Sequence, residues 1–216
     1  MGLTDFNSNQ ISYKGVDYAL TMAFPYVLKY FELANDNGLA TAEKMQLALQ
    51  LFCKSDAYKH LSIDDQAELF KLIFDKKINL RESKLASKLF KSDKKTYDFE
   101  IDAGRIQASF LMQYGVDLSD ADIRLSMDWE QFNALLDGLN DNTPFREVIR
   151  IRTTTVPDNA DADARNQISK LKTLYALGES SGDEPELTLE QQMAGMDRVE
   201  RIKYIAKLRK DGKLKG

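Results

Sequence analysis

The chain has 216 residues, 43% of them hydrophobic and 30% charged, with a formal net charge of −4. That composition supports one sizeable folded domain, or a domain with an appendage, and excludes global disorder. Its one cysteine, Cys53, excludes an internal disulfide framework, and its one histidine, His60, excludes a Cys/His zinc site.

Apolar runs such as Leu51-Phe52-Cys53 are only a few residues long, so no membrane-spanning helix is expected. The segment from Met1 to Ser8 has neither a basic start nor an apolar stretch and does not read as a secretory signal. Charge is placed unevenly. Residues 198–216 hold eight Lys/Arg against Glu200 and Asp211, a surplus of +6, which leaves −10 on residues 1–197. An acidic body repels nucleic acid, so a DNA-coating role is not expected.

Residues 10–20 predict a β-hairpin, because Ile11 and Tyr13, then Val16 and Tyr18, alternate with polar neighbours around Lys14-Gly15. Gly15 suits the positive φ of a two-residue turn, whereas Lys14 is a poor first turn residue. A lone hairpin is marginal in water, so this one is expected to lie on the helices that follow. Phe24, Val27, Leu28 and Phe31 recur at helical spacing, with Pro25 in the first turn and Asn35-Asp36-Asn37-Gly38 as the stop. Thr41 is expected to cap a second helix that buries Met45, Ala48, Leu49 and Phe52. Ser62 opens a third, with Asp64 and Asp65 in the first turn and Ala67, Phe70, Ile73 and Phe74 as its stripe. Residues 81–90 continue as a short helix through Leu85, Leu89 and Phe90, and residues 92–95 form a loop.

Phe99, Ala103, Ile106, Phe110 and Tyr114 predict the clearest helix, with Asp98, Glu100 and Asp102 near its start and Gly115 as its stop. Residues 117–126 read as a connection. Ser126 is expected to cap a helix whose buried row is Trp129, Phe132, Leu136 and Leu139. Thr143-Pro144 starts a short helix carrying Phe145, Val148 and Ile149 along with Arg146, Arg150 and Arg152, and Val156-Pro157 ends it. An acidic, alanine-rich stretch then leads to a thinner stripe of Ala164, Ile168, Leu171 and Tyr175, closed by Gly178. The expected organisation is therefore mainly α: a helical bundle over residues 1–157 with a small N-terminal β-hairpin, and a C-terminal helical extension. The extension comprises a helix over 158–178, a flexible linker over 179–187, and a basic amphipathic helix over 188–216 that Thr188 can cap.

No glycine-rich phosphate loop is present in the sequence. Cys53 borders the stripe of the second helix and reads as a small buried hydrophobe. His60 precedes a helix cap and reads as a surface residue without a triad partner. Asp98 and Asp102 share a helix face, with Arg105 within ion-pair reach of Asp102. Two carboxylates can hold Mg²⁺, but acids at a helix start are the commoner meaning. Arg146, Arg150 and Arg152 read as intramolecular partners of acids before they read as a phosphate clamp. No cofactor, no metal and no enzymatic activity are expected. The candidate partner-binding residues are Met193, Met196, Ile202, Ile205 and Leu208, an apolar stripe that follows the linker and either docks back on the body as a core helix or makes an adaptable helix-in-groove contact with a partner. A membrane contact by that helix ranks lower, since it has no anchor and no tryptophan.

Three blocks carry a resemblance: Asp98 to Asp117, Trp129 to Leu139, and Thr143 to Arg152. Together they resemble a family of tail-morphogenesis proteins of long-tailed phages and prophages of Gram-positive bacteria, called gene product 15. The layout is similar over residues 10–157 and specific within 98–152. One departure is visible: members often carry two adjacent tryptophans where this chain has Asp128-Trp129. The resemblance implies a non-enzymatic tail assembly chaperone that binds the tape measure protein until the tail tube polymerises around it. It further implies a place in the bacterial cytoplasm and absence from the mature virion. The tail tube protein, a second tail chaperone and further copies of this chain are the other partners it suggests; membrane and nucleic acid are not. The alternatives are a structural head–tail or tail component of the virion, and behind it a DNA-binding packaging or regulatory protein using residues 198–215.

Overall fold

A computed structural model of the chain describes residues 9–79, 96–155, 162–177 and 204. It is mainly α, with one antiparallel hairpin and eight α-helices among the described residues. Strands β1 (Gln10–Tyr13) and β2 (Val16–Ala19) are followed by α1 (Phe24–Asn35), α2 (Thr41–Phe52), α3 (Ile63–Ile73) and α4 (Ala103–Tyr114). Then come α5 (Ala121–Ser126), α6 (Trp129–Asp137), α7 (Pro144–Thr153) and α8 (Ala162–Leu174). The chain divides into two compact units: Met1–Lys95 with Ala103–Thr143, and Thr96–Asp102 with Pro144–Gly216. No helix among the described residues is long and apolar enough to cross a membrane.

The first unit opens with the hairpin. Ile11 lies opposite Tyr18 and Tyr13 opposite Val16, which makes Lys14-Gly15 a two-residue turn. Both turn residues are left-handed, with φ of 50° and 78°, as the twist of paired strands favours. A lysine in that region is strained. Helix α3 offsets the strain: Lys14 Nζ lies 2.6 Å from Asp65 Oδ1, and the Tyr13 hydroxyl donates to Glu68 Oε2 at 2.7 Å. The hairpin therefore does lie on a following helix. Beyond β2 the backbone is stitched into the helices. Leu20 bridges Cys53 and Ala23 bridges Asp128. Thr21 N–H donates to Phe52 O at 2.7 Å, and Trp129 N–H donates to Met22 O at 2.8 Å.

The core of this unit centres on Phe132. Its ring stacks on those of Phe24, Phe110 and Trp129 at centroid distances of 4.8, 5.3 and 5.6 Å, joining α1, α4 and α6. Trp129 Nε1 donates to Ile78 O at 3.1 Å, so the indole is satisfied while buried. Ile78 closes a π-helical turn, Phe74–Ile78, that continues α3. The rows Met45/Ala48/Leu49/Phe52 and Trp129/Phe132/Leu136/Leu139 are buried as expected.

Helix α3 departs from the expectation. Its buried positions are Gln66, Leu69 and Ile73, while Ala67 is exposed. Gln66 Nε2 donates to Leu61 O at 3.1 Å, so a satisfied amide occupies a place that apolar patterning assigns to alanine. Cap positions shift as well. Ser62 caps α3 as expected, its hydroxyl accepting from Asp65 N–H. Thr41 is the first helical residue rather than a cap, and the Glu43 carboxylate accepts from Ala40 N–H at 2.8 Å. The stretch expected as a connection holds α5, which Asp120 caps through Asp122 and Ile123 N–H at 2.9 and 3.1 Å. Ser126 ends α5, and Asp128 caps α6 by accepting from Gln131 N–H at 2.8 Å. Position 128 is thus a cap, where an aspartate fits, and not part of a helix face.

In the second unit, Phe145 and Val148 of α7 are buried, and Tyr97 meets Phe145 and Phe99 edge-on. Phe99 belongs to this cluster rather than to the stripe of α4, which begins only at Ala103. The Asp98 carboxylate accepts from Glu100 and Ile101 N–H at 2.8 and 3.0 Å and starts the turn before α4. Helix α8 packs on α7. Ala164, Ile168 and Tyr175 are half-buried, while Leu171, expected on the same stripe, is exposed. The expected helix over 81–90, the loop over 92–95, the Val156-Pro157 break, the linker and the helix over 188–216 lie outside the described residues, apart from the helical Tyr204.

Candidate partner-binding face and a buried ion pair

Asp102, a candidate metal ligand in the sequence, is engaged by a guanidinium. Its side chain is fully buried, and that of Arg152 is 9% exposed. The pair is bidentate: Nη1 donates to Oδ2 at 2.6 Å and Nη2 to Oδ1 at 2.9 Å. Arg152 also donates from Nη1 to Thr96 O at 3.1 Å and from Nε to Tyr175 O at 2.5 Å. Asp102 Oδ2 accepts in addition from Asp98 N–H at 3.1 Å. One guanidinium thereby fastens three segments of the second unit. Arg105, three residues along, is the partner that helical spacing suggests for Asp102; the bidentate partner is Arg152, which no local pattern points to. Of the arginine trio, Arg152 makes the expected intramolecular pair.

Cys53 is half-buried, and burial pushes its thiol up to about 11. A thiol so protonated at neutral pH is a poor nucleophile. His60 ends the 3-10 turn Asp56–His60 and is exposed. Among the described residues, no group of three or more His, Cys, Asp or Glu is placed to hold a metal ion. Met193, Met196, Ile202, Ile205 and Leu208 lie outside the described residues.

Helix α4, in the first unit, has an unusual outer side. Its inner side is fixed by burial of Ile106, Ser109 and Phe110. The Tyr114 hydroxyl donates to Leu135 O at 2.9 Å. Gln113 donates to Gly138 O at 3.0 Å and accepts from Asn140 N–H at 2.7 Å. With its rotation fixed, the helix turns Gly104, Ala108, Leu111 and Met112 to solvent, and Gly115 continues the same exposed line. Leu111 is 53% and Met112 65% exposed. None of the five carries a charge, whereas the outward side of an amphipathic helix is ordinarily polar. A Cβ at Gly104 would meet nothing within 4 Å, so packing among the described residues does not require glycine there. Gly115 does need its freedom, since its φ of 66° ends the helix.

One acid flanks this face. Asp117 Oδ1 lies 3.4 Å from Gln107 Nε2. Hydrogen bonds from the Ser119 hydroxyl and backbone N–H hold its carboxyl below the usual carboxylate range. Sequence reasoning missed the outer face because it followed the inner row. The available signal was composition: Arg105 is the single charged residue from Ala103 to Tyr114.

A family model described as Bacteriophage Gp15 protein matches residues 3–177 of the chain. Comparisons with curated proteins and with solved structures found no match.

Proposed function

The chain belongs to the Bacteriophage Gp15 protein family, and from that premise we propose that it is a non-enzymatic tail assembly chaperone that binds the tape measure protein. The family match across residues 3–177 is the observation that carries this reading. The uncharged outer side of α4 supports it, because a chaperone for a long helical client needs apolar surface that its own core does not consume.

The mechanism is competitive coating. Many copies cover apolar stripes of the client, and tube subunits displace them as the tail grows. Displacement requires contacts that are weak singly and effective together. The protein acts in the bacterial cytoplasm, in a Gram-positive host, and leaves before the virion matures. The tail tube protein and a second tail chaperone are further partners of the same assembly.

Co-expression with the tape measure protein encoded nearby tests this function. The expected result is a soluble client that co-purifies with the chain. A client that stays insoluble, together with the chain appearing in purified virions, would instead establish a structural component of the particle.

A further inference from the structure

We propose that the outer side of α4 is the surface that meets the client, and that its occupant is the apolar stripe of a single amphipathic helix in the client. This rests on the chaperone function proposed above. Size selects the occupant. From Gly104 to Gly115 the face runs about 16 Å, at 1.5 Å rise per residue, and is about one helix wide. That strip lies well below the ~800 Å² per partner of a stable interface, so it does not sustain a dimer of this chain by itself. It fits about three turns of one helix.

Shape and charge agree. Gly104 and Ala108 leave one end low, where the backbone of a second helix can approach. Leu111 and Met112 stand up at the other end to fill the gaps between its side chains. The face has no charge of its own, so the contacting stripe of the occupant is uncharged too. Asp117 stands at one edge, beside Gln107, and Arg105 at the other, in line with Ala108 and Met112 at helical spacing, so the flanks carry both signs and the uncharged strip between them selects the occupant. Glycine at position 104 also acquires a purpose, since no packing among the described residues needs it.

The test is co-expression of the full chain with the tape measure protein, comparing the wild type with two variants. Leu111→Gln/Met112→Gln removes the raised end, and Gly104→Leu fills the low end. Both changes point into solvent, so circular dichroism and the melting temperature should stay at the wild-type values, or rise for Gly104→Leu. The expected result is a loss of about tenfold or more in co-purified client for each. Full retention of the client by both variants overturns the assignment of this face and leaves the chaperone function standing. Failure of the wild type itself to retain the client overturns the function, and this inference falls with it. If the variants keep the client but lose a wild-type dimer in light scattering, the face belongs to a second copy and the inference is overturned.

Discussion

A carboxylate as deeply buried as that of Asp102 would cost several kcal/mol if it stood alone. Here the Arg152 guanidinium and the Asp98 N–H supply donors for its oxygens, and the guanidinium spends two of its three other N–H groups on the Thr96 and Tyr175 carbonyls. Such a pair need not add net stability over an apolar substitute, but breaking it strands a buried charge. Arg152→Met is therefore expected to destabilise the protein by about 3–5 kcal/mol in urea denaturation. The double variant Arg152→Met/Asp102→Leu should recover much of that loss, because it removes the stranded charge. A loss by the single variant of well under 1 kcal/mol would mean that water reaches Asp102. Cys53 makes a second prediction at this scale. With its thiol pushed up to about 11 by burial, it should react with a thiol reagent at pH 7 far more slowly than free cysteine, and speed up on unfolding.

Among the elements, the hairpin and α3 are joined by charge. Donation from Lys14 holds the Asp65 carboxyl below its ordinary range, and the bond to Asp65 raises Lys14 in turn. Donation to Glu68 likewise raises the Tyr13 hydroxyl. The signs follow from linkage. The Asp65 contribution is present above its unfolded value of about 3.9 and is lost as pH falls through the lower folded value. The Tyr13 and Lys14 contributions are present below about 10 and are lost as pH rises through their higher folded values. The contact should thus hold from about pH 4 to 10 and weaken outside that window. Asp65→Asn should lower the melting temperature at pH 7 and flatten its fall on acidification. Two glycines in and after α4 make an opposed pair. Gly104→Ala should raise stability by up to about 1 kcal/mol, since helix propensity rises and its Cβ meets open space. Gly115→Ala should lower it by about 1 kcal/mol, since φ is 66° there. Denaturant midpoints of the two variants on either side of the wild type would bear this out.

At the scale of the molecule, Phe132 holds the first unit together, because α1, α4 and α6 all meet on its ring. Phe132→Ala should cost about 3–5 kcal/mol, with urea unfolding as the measure. Since Phe110 stacks on the same ring, this core change should also loosen α4 and reduce client capture through the fold. The surface variants at Leu111, Met112 and Gly104 should reduce capture without that loss of stability. Comparing the two classes separates a face that binds from a core that merely holds the face in place.

Much of this was written locally. Helical spacing found the buried rows of α2 and α6, the glycine stop of α4 and the proline start of α7, because those features depend on residues within a turn or two of one another. Alternation around Lys14-Gly15 found the hairpin for the same reason. Three long passages of the family resemblance lie in α4, α6 and α7, where the pattern is densest. Tertiary structure alone decided that Arg152 clasps Asp102, that Gln66 enters the inner row of α3, and that Asp65 and Glu68 receive the hairpin turn. It also decided which side of α4 is left bare. Each of these depends on partners brought together by packing from about five to fifty-five residues away, and periodicity within one element carries no information about the surface of another.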